Sequence, residues 1–180
     1  MPFASYYRWM CLLASCGLAG LPGSGCIATD RIEFVPTENF PPSVVSQTEA
    51  TYPLNEIGLL NLDDPPPDQG AEVRLETIVR DPNLDDTLEF RIFLDSPPEP
   101  DIPLSAGTIE PSGFIERERD FVIPFERLTP GVCHRIELVV VGEFASFAEP
   151  RRPVVPGDFD DPTWWIRVVD TDNPTATECQ

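Results

Sequence analysis

Between residues 73 and 80 the chain alternates. Val73, Leu75, Thr77 and Val79 fall on one side, Arg74, Glu76 and Arg80 on the other, and only Ile78 breaks the polar side. A period of two is that of a half-buried β-strand. DPNLDD follows at 81–86 and is rich in turn formers. Alternation resumes with Leu88, Phe90, Ile92 and Leu94 against Glu89 and Arg91. The two runs either pair with each other or face each other across a core. Phe121, Ile123 and Phe125 predict another strand near 116–125. LTPG at 128–131 is a turn. Ile136, Leu138 and Val140 predict the next strand, and Trp164, Ile166 and Val168 the last. SPPEPDIP at 96–103 is too proline-rich for a central strand and reads as a loop. A long loop containing EPRRP and PGDFDDP precedes the last strand.

Five to seven short strands separated by turns predict an all-β fold, a single antiparallel β-sandwich over residues 41–180. A closed barrel is the alternative. Proline and glycine, 22 and 11 residues, disfavour helices. No amphipathic helical pattern and no internal repeat follows residue 30. Pro41-Pro42 before Ser43-Val44-Val45 suits an extended linker running into a first strand.

Charge narrows the partners. The chain of 180 residues carries a formal −19, with 12 arginines and no lysine. Such a surface repels phosphate backbones, which excludes nucleic acid, and it repels anionic lipid headgroups. Acidity here serves solubility or cation binding.

The first residues read as a secretory leader. Arg8 supplies a positive charge, and an apolar stretch of small residues runs from there to Leu21. Two cysteines could follow a cleavage site. Leu13-Ala14-Ser15-Cys16 and Gly23-Ser24-Gly25-Cys26 both resemble the leader of bacterial lipoproteins, in which small residues precede a cysteine that becomes the acylated N-terminus. Cys16 has the better motif, but only seven residues separate it from Arg8. Cys26 has the longer apolar core before it but lacks the leucine. Parity favours Cys26: cleavage there discards Cys11 and Cys16 and leaves Cys133 and Cys179 to form a disulfide with each other. The expected organisation is a signal peptide (1–25), a proline-containing tether (26–40) and the sandwich. The resemblance implies a cell-envelope protein held by an N-terminal lipid in the outer membrane, since Ile27 replaces the aspartate of inner-membrane retention. Cys16 stays open as the alternative site.

RLETIVRDPNLDDTLEFRIFLD resembles the strand, acidic turn and strand of immunoglobulin-like and cadherin-like bacterial surface domains. LTPGVCHRIELVVV is similar to the corner and penultimate strand of fibronectin-type sandwiches, and WWIRVVD to a last strand. These resemblances imply an immunoglobulin-like sandwich and no particular activity. The expected role is binding or structural display, with an envelope protein or polysaccharide as partner, and no cofactor.

Candidate chemistry is sparse. His134 is the only histidine and shares the parity of Ile136, so it should face inward. A hydrolase acting through His134 would need a nucleophile context such as G-x-S-x-G, which is missing. The chain therefore reads as non-enzymatic. Asp81, Asp85 and Asp86 in one turn, and Asp170 with Asp172 near the end, are weak calcium candidates. No single cluster completes a shell of six to eight oxygens. VVDTDNP resembles the acidic end of a cadherin-type repeat, which makes a calcium-dependent adhesion module the rival function. Trp164 and Trp165 must point to opposite faces of a strand, so Trp165 is the candidate interaction residue.

Overall fold

In a computed structural model the described residues are 39–67, 69–95 and 101–179. Among the described residues nine strands form two sheets. One sheet has three strands: β1 (Ser43–Ser46), β3 (Glu72–Arg80) and β6 (Glu116–Pro124), in the order β1-β3-β6. The other runs β2 (Ile57–Asn61), β9 (Thr163–Val169), β7 (Cys133–Val141), β4 (Leu88–Leu94) and β5 (Ser105–Ile109), with the short β8 (Phe159–Asp160) paired to β7. The two sheets do not close on each other, so the fold is an all-β sandwich and not a barrel.

The expectation of a wholly antiparallel sandwich needs one correction. β2 pairs with β9 in parallel, Gly58 opposite Ile166 and Leu60 opposite Val168. The chain leaves β1 in the first sheet, crosses to the second, and lays β2 beside the last strand in the same direction.

The open choice at DPNLDD is resolved as well. β3 and β4 do not pair; they lie in different sheets and face each other. The alternation of β3 becomes a burial pattern in which Val73, Leu75, Thr77 and Val79 are all buried. Phe90 from β4 meets Phe121 from β6 edge to face across the core, with ring centroids 4.9 Å apart. Trp164 is fully buried, and its indole N–H donates to the Tyr52 carbonyl at 3.0 Å. That bond fastens β9 to the crossing between β1 and β2.

A second, smaller apolar cluster sits on the outer face of the larger sheet: Phe93, Val139, Val141 and Phe144. The long connection after β7 folds over it. Ala145 N–H donates to Arg152 O at 2.9 Å and Val154 N–H to Glu143 O at 2.8 Å, which makes the connection a small hairpin-like flap. Two arginines hold the flap down. Arg91 stacks 3.9 Å from the Phe144 ring centre and donates to the carbonyls of Ser146 and Pro150 at 3.1 and 3.0 Å. Arg151 lies 3.8 Å over Phe93 and donates to both oxygens of Glu137 at 2.9 and 3.1 Å. Charge, stacking and backbone bonding act at one place here.

Candidate functional site

The acidic turn between β3 and β4 is built from behind by one arginine. In β6, Arg117 has the parity of Phe121 and Ile123, so it points inward. Its Nη2 donates to Asp81 Oδ2 at 3.0 Å and to Asn83 O at 3.2 Å. Its Nη1 donates to Asp86 O at 2.9 Å. Asp81 Oδ1 accepts the Asn83 N–H at 2.8 Å, an Asx turn. With the backbone gripped on its inner side, the turn presents Asp85 and Asp86 outward, both exposed.

Those carboxylates share a pocket of about 310 Å³ with Glu143 and Asp158 from the flap and with Asn39 from the start of the described chain. Val154 and Val155 complete its wall, each about half exposed. Asp158 lines it too, and only 7% of it is exposed. Burial pushes the Asp81 carboxyl above its ordinary 3.8 despite Asn83 N–H and Arg117, and the charges of Asp86 and Asp158 add to the rise.

The other sequence candidates lie elsewhere. Asp170 accepts the Asn173 N–H at 2.6 Å and the Asn173 side-chain amide at 3.0 Å, closing its own turn. Asp172 is exposed beside it. The structure therefore separates Asp170 and Asp172 from Asp85 and Asp86, and it commits Asp81 to Arg117. Among the described residues no three histidine, cysteine or acidic side chains are placed to share a metal ion. The Asp158 and Glu143 contribution to the acidic pocket was not legible as a site in the sequence. The cue was present in PGDFDDP, but only the flap brings it to the β3–β4 turn.

His134 is buried, as its parity requires. Nδ1 donates to Asp95 Oδ2 at 2.6 Å, and Nε2 accepts the Thr129 N–H at 2.8 Å. Thr129 O lies 3.1 Å from the same nitrogen, so the backbone N–H and C=O of one residue offer a partner to either protonation state. Asp95, at a left-handed φ of 52°, also accepts Arg135 N–H at 2.9 Å. Burial lowers the His134 pKa, but the bond and charge of Asp95 and the bond to Thr129 outweigh it, and the net value rises above 6.5. Asp95 shifts the other way. Burial raises it, and the bonds from His134 and Arg135 bring it below 3.8. Both imidazole nitrogens thus serve the corner before β7.

Cys133 and Cys179 form a disulfide across 46 residues. It fastens the tail to the start of β7, where Thr177 Oγ1 also accepts Cys133 N–H at 3.0 Å. Trp165 faces away from the core and is half-buried, between Ile57 on β2 and Arg135 on β7 in one cross-strand row. Cys16, Cys26, the signal peptide and nearly all of the tether lie outside the described residues. No known family model and no curated protein sequence matches the chain.

Proposed function

We propose that the chain is a non-enzymatic, extracytoplasmic module of immunoglobulin-like type, held in the outer membrane by a lipid on Cys26, with Cys16 the alternative. Its role is binding or structural display toward an envelope protein or polysaccharide. The observation that carries the reading is the Cys133–Cys179 disulfide, because such bonds persist in oxidising compartments. It accounts for both cysteines beyond the leader and leaves Cys26 over for acylation. Strand order supports the immunoglobulin-like assignment. β1-β3-β6 corresponds to the A-B-E strands of such sandwiches, and β4, β7 and β9 to C, F and G.

The calcium-dependent reading has less support, since Asp81 is ion-paired and Asp170 closes its own turn. The hydrolase reading needs a nucleophile beside His134, and Nε2 is occupied by the Thr129 peptide. Intact mass spectrometry of the processed protein tests the proposal. The expected product begins at Cys26, carries a diacylglycerol mass, and gains two hydrogen atoms on reduction of the Cys133–Cys179 bond. A lipid-free chain with reduced thiols would overturn it.

A further inference from the structure

Among the described residues Asp158 has no cationic partner. It is 7% exposed, and its carboxylate accepts no hydrogen bond from any described residue. A largely buried acidic side chain that no described donor meets is open to a donor from outside. The seat is built for the side chain: a Cβ at Gly142 would collide with Asp158 Oδ2, so glycine leaves the carboxylate room. Asp85, Asp86 and Glu143 line the same pocket. Arg117 is the cation nearest the turn on its inner side, and it is already spent on Asp81 and on backbone carbonyls. Among the described residues that line it, the pocket holds no positive charge.

The arrangement selects among cations. Calcium needs six to eight oxygens converging at about 2.3–2.6 Å. Here no three acidic side chains are placed to share a metal ion, among the described residues. A guanidinium or ammonium makes a different demand. Its several N–H donors point in different directions and are satisfied by carboxylates standing apart. Its aliphatic stem needs apolar cover, which Val154 and Val155 supply at 49% and 48% exposure. The volume of about 310 Å³ is at the small end for ligand sites, enough for a single side chain.

We propose that the pocket formed by Asp85, Asp86, Glu143 and Asp158 receives an arginine or lysine side chain of a basic partner protein. This names a partner chemistry for the binding role proposed above and is independent of the lipid anchor, which the mass measurement tests separately.

Titration of the full chain, solubilised in nonionic detergent at low ionic strength, decides it. The probes are acetyl-Gly-Arg-Gly-amide, the same peptide with citrulline for arginine, spermidine and calcium chloride. Backbone amide NMR shifts are followed. The arginine peptide should give saturable shifts confined to Asp85–Thr87 and to Gly142, Glu143 and Asp158. The uncharged citrulline peptide should give none. Asp158→Asn should weaken binding by about tenfold or more. Because Asp158 accepts no hydrogen bond from a described residue, that variant's melting midpoint should not fall, which separates a binding role from a structural one. Shifts that never saturate, an unchanged affinity in Asp158→Asn, or a lower midpoint without loss of binding would overturn the proposal. So would calcium displacing the peptide from the pocket, which would make it a metal site. Tighter binding of spermidine than of the peptide would assign the pocket to free polyamines instead.

Discussion

Arg117 Nη2 stands 3.0 Å from Asp81 Oδ2, and the two side chains are only 4% and 1% exposed. This ion pair joins the edge strand β6 to the turn that carries the strand path from one sheet to the other. Removing one partner leaves the other charge buried and alone. Arg117→Met should cost about 3–5 kcal/mol in denaturant unfolding. Adding Asp81→Asn, which keeps the turn-closing oxygen, should recover much of that loss. A double variant no more stable than Arg117→Met would show that the backbone bonds of Arg117, and not the charge pair, carry the effect.

Asp95 and His134 set a pH window. The pKa of His134 is raised above 6.5, so its stabilising contribution is complete below that value and is lost as pH rises through the folded value. That of Asp95 is lowered below 3.8, so its contribution holds above that value and is lost as pH falls through the folded one. The pair should stabilise most between these limits, in mildly acidic solution. Thermal unfolding followed across pH 5–8 should show the midpoint declining on the alkaline side, as the about 6.5 reference of histidine requires. His134→Asn should remove that decline.

The adjacent tryptophans should behave as opposites. Trp164 fills the core and donates to Tyr52 O; Trp165 lies half-buried on the outer face. Trp164→Ala should cost about 3–5 kcal/mol and Trp165→Ala clearly less. Equal losses in chemical denaturation would show that the outer row with Ile57 and Arg135 is packed as tightly as the interior.

Reducing the disulfide should lower stability without dissolving the sandwich. A loop closed across 46 residues is worth about 4 kcal/mol in the chain-entropy model. Denaturant curves with and without reductant measure it directly. Hydrogen exchange should localise the loosening to the tail after β9 and to the start of β7.

Arg91 should matter to the flap more than to the whole. Its Nη1 holds the carbonyls of Ser146 and Pro150, and its plane lies against Phe144. Arg91→Ala should speed amide exchange across 143–154 while the global midpoint falls only slightly. A large global loss would mean that the flap folds as one unit with the core.

Much of the fold was legible because alternation marks the core face, although only in β3 does it match burial residue by residue; in β4 and β7 the flap also buries Arg91, Phe93 and Val139 on the outer face. Val73 to Val79, Leu88 to Leu94 and Ile136 to Val140 read correctly, and the parity of His134 placed it inside. β5 was missed because Ser105–Ile109 is small and polar, and Gly107 shows why: a Cβ there would come within 2.9 Å of the Phe90 ring. β2 was missed because its exposed Ile57 and Leu59 carry no alternation. Its parallel partner β9 lies about a hundred residues onward, where local pattern says nothing. Arg117 could have been found. Stepping back by twos from Ile123 and Phe121 through ERERD reaches it. Charge alone made that run look like a solvated face. The pocket around Asp158 is different, because it exists only once the flap has folded.

The parallel pairing of β2 with β9 has a mechanical consequence. Tension that pulls β2 back toward the N-terminus and β9 forward toward the tail acts along the strands in opposite senses. The ladder from Ile57–Trp165 to Asn61–Val169 is then loaded in shear, all its rungs together, and does not unzip one rung at a time. The Cys133–Cys179 bridge passes part of the same load to β7. A domain tethered at one end and gripped at the other would meet force along a ladder whose rungs share the load.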